Sequence, residues 1–277
     1  LTGVPETMLW PLWNRAAEQS RRDPLIVDPL AAELVERLDY DFAGTFGRPH
    51  VFHAIRARLS DDLIADYAGQ CEREPVVVSL GDGLETQPWR IADNRIRWLS
   101  VDLPEAIATR NELLPPHRGV RTVACSALDP AWTAEIPEGS TPFVSAAGLL
   151  MYFQPDEVVR LLADIADRLP NATIFFDTIP PYFSRKTLRG LKVTRNYTAP
   201  KMPWGVSVDD IPDFLNGIPG LSAGRIWTYA DPYPKRTRLY HMLARIGPVR
   251  RRLAGGLALA RTTRKTREHY SSSRKRN

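Results

Sequence analysis

Over the first 70 positions apolar residues recur at helical spacing, and beyond them the rhythm changes. ETMLWPLWNRAAEQS (6–20) places apolar residues three or four apart, which predicts an amphipathic helix. PLAAELVERLD (29–39) predicts a second, opened by Asp28 with proline at its first helical position. HVFHAIRARLSDDLIADYAG (50–69) predicts a third, longer one. From residue 75 onward, short apolar runs alternate with helical stretches. Strands are expected at 75–80, 96–101, 120–125, 142–147, 172–177 and 224–229, and helices at 86–93, 104–114 and 155–168. That alternation predicts an α/β fold on a doubly wound, mostly parallel sheet with helices on both faces. The segment 178–208, rich in Pro, Lys, Arg and aromatic residues, interrupts the alternation and reads as a lid inserted after the fifth strand. TRLYHMLARIG (237–247) fits a closing strand and a helix equally well. The expected organisation is an N-terminal helical cap over 1–70, a core over 71–247 carrying the lid, and a basic tail over 248–277.

Composition changes this picture mainly at the tail. The chain of 277 residues is 43% hydrophobic, ordinary for one large globular domain. Its net charge of +5 hides a division: residues 245–277 carry eleven Lys/Arg and one Glu, whereas the rest carries 26 bases and 31 acids. The tail is therefore +10 and the body −5. Within the tail, LAGGLALA (253–260) is expected to dock as a helix and SSSRKRN to be disordered. A solvated terminus is the first reading; weak contact of the tail with an anionic surface is the second, and no specific nucleic acid is expected. No apolar run approaches the ~20 residues of a membrane span, and no charged-then-apolar signal segment stands at the start. The chain opens on Leu1, so a few native residues are expected to precede it. Cys71 and Cys125 match no metal spacing; they read as reduced thiols, which predicts a cytoplasmic protein without a metal.

The chemistry concentrates in PVVVSLGDGLET (75–86). An apolar run breaks into Gly81-Asp82-Gly83 and starts a helix, and Asp102 ends the next apolar run. In an open α/β sheet such glycines let backbone approach a ligand, and an acid at the tip of the following strand accepts from ribose hydroxyls. A dinucleotide fingerprint needs a third small residue, and here Thr86 stands in its place behind Glu85. Asp82 and Glu85 would repel a pyrophosphate. A ligand with an adenosine and a positive charge but no phosphate suits the turn better, and S-adenosylmethionine is such a ligand. Asp129, in SALDPAW (126–132), stands where it could accept from an adenine amino group. GLLMYF (148–153) and DTIPPYF (177–183) end the next two strands, adding aromatic faces suited to a sulfonium. Each piece alone has a plainer role as a turn, cap or core residue. No hydrolase elbow, zinc-protease helix or phosphate loop is present. Of the five histidines only His53, one turn before Arg56, is near a predicted pocket, and a core or surface role is expected for it.

The chain resembles the leucine carboxyl methyltransferase superfamily, most closely the bacterial tetracenomycin-type polyketide O-methyltransferases. The resemblance rests on VPETMLWPLWNRA (4–16), DPLAAELVERLDYDF (28–42), AIRARLSDD (54–62), VVVSLGDGLETQPWR (76–90), VDLPE (101–105), SALDPAW and GLLMYF. It implies a class I, Rossmann-like methyltransferase fold with S-adenosylmethionine as donor. It implies that Arg56 grips the methionyl carboxylate, with Arg15 a second anchor. Gly81 and Gly83 would pass the methionyl part, Asp102 would hold the ribose, and Leu128 and Asp129 would frame the adenine. Ala147 stands where the family has Glu, and Asp82 and Glu85-Thr86-Gln87 replace Ala and Asp-Thr-Arg.

The leading reading is methyl transfer to an oxygen of a small acceptor. No general base stands out and no catalytic residue is named, which points to a carboxylate or acidic phenol. Tyr152, Tyr182, Arg185 and Trp204 are the candidate contacts for a flat anionic, aromatic or polyketide-like acceptor. An NAD-dependent oxidoreductase and a non-catalytic cofactor-binding protein of the same fold are the competing readings.

Overall fold

The computed structural model describes residues 6–263. Four helices come first: α1 (Glu6–Gln19), α2 (Pro29–Arg37), α3 (Phe42–Phe46) and α4 (Phe52–Gln70). Asp28 caps α2 by accepting from the Ala31 amide at 3.0 Å, and Asp41 caps α3 through Gly44 at 2.8 Å. The core then alternates: β1 (Val76–Leu80), α5 (Gln87–Arg90), β2 (Arg97–Asp102), α6 (Pro104–Leu113), β3 (Val120–Ala124), β4 (Phe143–Ala146), α7 (Pro155–Arg168) and β5 (Thr173–Thr178). After β5 come α8 (Pro181–Leu188), α9 (Ile211–Asn216), β6 (Leu221–Thr228), α10 (Arg238–Ala244), α11 (Gly247–Leu253) and β7 (Gly256–Thr262). The seven strands form one sheet in the order β3-β2-β1-β4-β5-β7-β6, with β1 to β5 parallel and β7 antiparallel to both of its neighbours.

Alternation along the strands divides the core between two faces. Val76, Val78 and Leu80 point toward α7, whose Val158, Leu161, Leu162 and Ile165 form one apolar stripe. Val77, Trp98, Phe143 and Phe175 pack on the opposite face with Ile55 and Ile64 of α4. A third cluster joins α1, α2 and α3 through Leu9, Leu12, Leu34, Phe42 and Phe46.

Three expectations are corrected. LAGGLALA is a strand, not a docked helix, and residues 248–262 belong to the folded body rather than to a tail. Leu and Ala favour helix locally, but β7 fills a slot between β5 and β6. A side chain at Gly256 would come within 2.5 Å of Ile211 there, and Leu257, Ala258 and Ala260 are fully buried. The remainder of the tail, from 264, lies outside the described residues. The second correction concerns 178–208, where the expected acceptor contact Trp204 is taken up by packing. Ser184 Oγ donates to the Met202 carbonyl at 2.8 Å, Tyr197 packs on Trp10 and Phe46, and Trp204 packs on Phe214 and Phe176. The third is the helix at 86–93, which shrinks to the four residues of α5. The undecided 237–247 segment contains the helix α10.

Candidate active site

A cavity of about 290 Å³ opens beyond the carboxyl ends of β1, β2 and β4, near the lower limit of the ~300–1,000 Å³ common for small-molecule sites. This is where the strand order reverses, so the connections after β1 and β4 leave to opposite sides and a crevice is left between them. The Gly81–Gly83 turn forms one wall. Gly81 and Gly83 have φ of +64° and +49°, in the left-handed region that favours glycine. A side chain at Gly81 would strike Leu149 at 2.6 Å. Asp102 steadies the turn, accepting from the Gly83 amide and from the Leu103 amide, both at 2.8 Å. Burial raises the Asp102 carboxyl above its ordinary range, and the two backbone donors offset part of that.

The acids that look anomalous in the turn are both accounted for by arginines from elsewhere. The Asp82 carboxylate is held in a buried site, accepting from Ser100 Oγ at 2.6 Å. Arg110 Nη2 of α6 lies 3.0 Å away as an ion pair, and Arg110 Nη1 donates to the carbonyls of Gly83 and Glu85 at 2.8 and 2.7 Å. Burial outweighs Arg110 and pushes the Asp82 carboxyl up to about 6. Glu85 behaves oppositely. Burial opposes its charge, but Arg15 and Arg90 prevail and bring it down to about 2. The two acids therefore do not present the uncompensated charge expected to repel a pyrophosphate: each faces a guanidinium. Thr86 is buried and donates to Asp28 at 2.6 Å, so it ties the turn to α2.

Arg15 lines the cavity but is already engaged. Its guanidinium donates to Asp28 at 2.9 Å and to the Leu84 carbonyl at 2.8 Å, and lies 3.2 Å from Glu85. These partners make it a structural tie within the cavity wall. Arg90 completes the network, meeting Asp28 at 3.0 Å, Asp61 at 2.9 Å, and Glu85. The network binds α1, α2, α4 and α5 to the turn.

Arg56 reaches the other side of the cavity from α4. Its Nη1 donates to Asp177 Oδ2 at 3.0 Å. Burial works against its charge, and Asp177 more than restores it, so the guanidinium is held charged. Asp177, at the end of β5, also accepts from the Gly148 amide and from Tyr229 Oη. Gly148 is required here, because a side chain would lie 2.6 Å from the Arg56 guanidinium. Ala147 lines the cavity without a carboxylate, and Asp177 on the neighbouring strand supplies the charge next to Arg56 instead. Tyr152 completes this wall, with burial pushing its phenol up to about 12.

Arg56, Gly81, Asp82, Gly83, Asp102, Ala147, Tyr152 and Arg15 thus line one cavity. The other candidates do not. Leu128 packs against the main core, and Asp129 is exposed, capping a turn through the Ala131 amide at 2.9 Å. Tyr182 and Arg185 stand on α8 away from the cavity, with Lys186 and Arg252 over the Tyr182 ring. Trp204 is core. His53 is half-buried and off the cavity wall. The Asn14 amide donates to the Trp10 carbonyl at 3.0 Å and accepts from the His50 amide at 2.7 Å, which orients its nitrogen toward His53 Nδ1 at 2.7 Å. His53 Nδ1 is therefore an acceptor and the ring is neutral. Burial, His50 and Arg56 all favour that state.

Arg110 and Asp177 were not picked out from sequence. Asp177 did carry a signal, since it ends an apolar run as Asp102 does. Arg110 occupies the same helical stripe as buried Ala106 and Ile107, a cation on an apolar face.

A sequence profile for the family described as Leucine carboxyl methyltransferase matches residues 9–166. The tetracenomycin polyketide synthesis O-methyltransferase TcmP of Streptomyces glaucescens is 28% identical over 234 residues, covering 83% of this chain and 85% of its own. The S-adenosyl-L-methionine-dependent methyltransferase dpfgK of Gibberella zeae is 26% identical, covering 89% and 86%. Among solved structures, a "putative methyltransferase" from Thermobifida fusca shares the fold, with a TM-score of 0.58 at 15% identity, over 92% of this chain and 95% of that one.

Proposed function

The chain belongs to the leucine carboxyl methyltransferase family, and on that premise we propose that its cavity binds S-adenosylmethionine and passes the methyl group to an oxygen of a small acceptor. The protein is an S-adenosylmethionine-dependent methyltransferase, as its family and relatives indicate. The observation that carries the reading is the convergence of Arg56, the Gly81–Gly83 turn and Asp102 on one cavity. A guanidinium matches the methionyl carboxylate, a glycine turn admits close backbone approach, and Asp102 offers an acceptor for ribose hydroxyls. Gly81 and Gly148 let Leu149 and the Arg56 guanidinium lie against the backbone of the cavity wall, where a Cβ would displace them.

Bound S-adenosylmethionine supplies an already activated methyl, so the protein's work is positioning. Arg56 orients the carboxylate end, and the Tyr152 ring gives the wall an aromatic face. Among the described residues no histidine lines the cavity, and His53 is committed to Asn14. This favours an acceptor that needs no base: a carboxylate, or a phenol acidic enough to ionise unaided. The Streptomyces relative, named for polyketide synthesis, suggests an aromatic or polyketide-like acceptor. In this reading the enzyme works in the cytoplasm, where Cys71 and Cys125 stay reduced.

The test combines calorimetry with S-adenosylhomocysteine and transfer from tritiated S-adenosylmethionine to a panel of aromatic acids and phenols. Binding together with a labelled methyl ester or ether is expected. Binding without any labelled product across the panel sinks the acceptor class and leaves the cofactor reading standing.

A further inference from the structure

Of the nine large apolar side chains exposed among the described residues, six fall on one part of the surface: Leu188, Leu239, Met242, Leu243, Ile246 and Leu253. Four of them, Leu239, Met242, Leu243 and Ile246, are spaced as one stripe along α10 and its end. That stripe faces solvent, with Leu239 70% and Met242 64% exposed. Helices of globular proteins turn such stripes inward, and α10 already buries Ala244 on its other side. The chain around the stripe is strongly basic. Residues 235–253 hold seven Lys/Arg and no acid, and 179–208 hold six and no acid. The two segments meet where α8 packs on α11, with Arg252 over the Tyr182 ring at 4.5 Å. The bordering carboxylates are engaged: Asp209 by Arg250 and Asp210 by Arg251, both at 2.8 Å, while Asp231 lies 3.7 Å from His241. Arg238 and Arg245 flank the stripe and are exposed.

We infer that the α8–α10–α11 face docks on an anionic lipid bilayer surface. An exposed apolar stripe beside unopposed cations is the pattern that lays a helix into the headgroup boundary. Apolar burial and attraction of the basic residues to acidic lipids then act together. A second copy of the chain would bring Arg238 and Arg245 against like charges, which charge complementarity disfavours. β7 then carries the chain from α11 to the opposite end of the sheet, with Gly256 beside Thr228 and Thr262 beside Leu221. This docking face is separate from the methyl-transfer reading and does not depend on it.

The test is cosedimentation of the full chain with vesicles of phosphatidylcholine, with and without one third phosphatidylglycerol, alongside sedimentation velocity without lipid. The wild type is expected to partition onto the anionic vesicles, more weakly at high salt. Leu239→Ser, Met242→Ser and Ile246→Ser combined should weaken partitioning about tenfold or more, as should Arg238→Gln with Arg245→Gln. These side chains are exposed, so the melting temperature and circular dichroism should be unchanged, which confirms folding. Absence of wild-type binding overturns the inference. So does full binding by the triple-serine variant, which would place the contact in the terminal basic residues. A wild-type dimer that the serine variant dissociates, without vesicle binding, would make the face a self-interface and overturn it as well.

Discussion

The two sides of the cavity solve the same electrostatic problem differently. On the β1–α5 side, carboxylates are abundant and each is matched: Asp82 by Arg110, and Asp28, Asp61 and Glu85 by Arg15 and Arg90. On the β4–β5 side charge is scarce, with one guanidinium, Arg56, held by one carboxylate, Asp177. The first arrangement is a closed network whose members satisfy one another and hold the turn in place. The second leaves a cation at the cavity wall with a single ion-pair partner, the condition for a group that also receives a ligand carboxylate. An unusual charge in a motif therefore says little by itself; what matters is whether the fold brings a partner to it.

The largest effect is expected where the network is densest. Arg90→Leu would leave Asp28, Asp61 and Glu85 short of a shared counter-charge in buried surroundings, and should cost about 3–5 kcal/mol in chemical denaturation. A loss below about 1 kcal/mol would mean the network is not the tie between the helices and the turn. The sparse side should respond less, and in a way the ligand can repair. Asp177→Asn keeps one oxygen to accept from the Gly148 amide and offers Nδ2 as a donor to Tyr229 Oη, but leaves Arg56 uncompensated, with an expected cost of about 2–3 kcal/mol. S-adenosylhomocysteine should then raise the melting temperature more in this variant than in the wild type, its carboxylate standing in for the lost one. Equal shifts in the two proteins would separate Arg56 from ligand binding.

The smallest effect lies within the turn and is a matter of pH. Asp82 titrates near 6 in the folded chain against an ordinary value of 3.8. Between those values the folded state holds a proton the unfolded state has released, so this group's contribution to stability falls as pH rises through the window, and its cost is complete above about 6. Asp82→Asn removes that dependence. The variant should gain on the wild type by about 1–2 kcal/mol between pH 4 and pH 6, read from urea midpoints across the range. A constant difference between the two proteins would show that Asp82 does not titrate there.

Much of the fold was legible because its signals are local. The apolar runs of β1 to β5, the capped start of α2 and the stripe of α7 each lie within a short window. The Gly81–Asp102 pairing was equally readable, since strand, turn and next strand tip lie close in sequence. β7 was not, because Leu and Ala say helix until β5 and β6 are both in place. Nor was the fate of 178–208: Trp204, expected to contact the acceptor, is consumed by packing on Phe214, as Tyr197 is by packing on Trp10.

The chain alone determined the α/β order, the position of the cavity at the turn after β1 and the candidacy of Asp102, because these depend on periodicity and short-range spacing; Arg56 became a candidate only through the family resemblance. Tertiary structure alone decided which charges are free. Asp82 meets Arg110, Arg15 meets Asp28 and Arg56 meets Asp177 over separations of 28, 13 and 121 residues, and no local pattern carries that information. It arises when the sheet brings strand tips and helices together in a medium where an unpaired charge costs several kcal/mol.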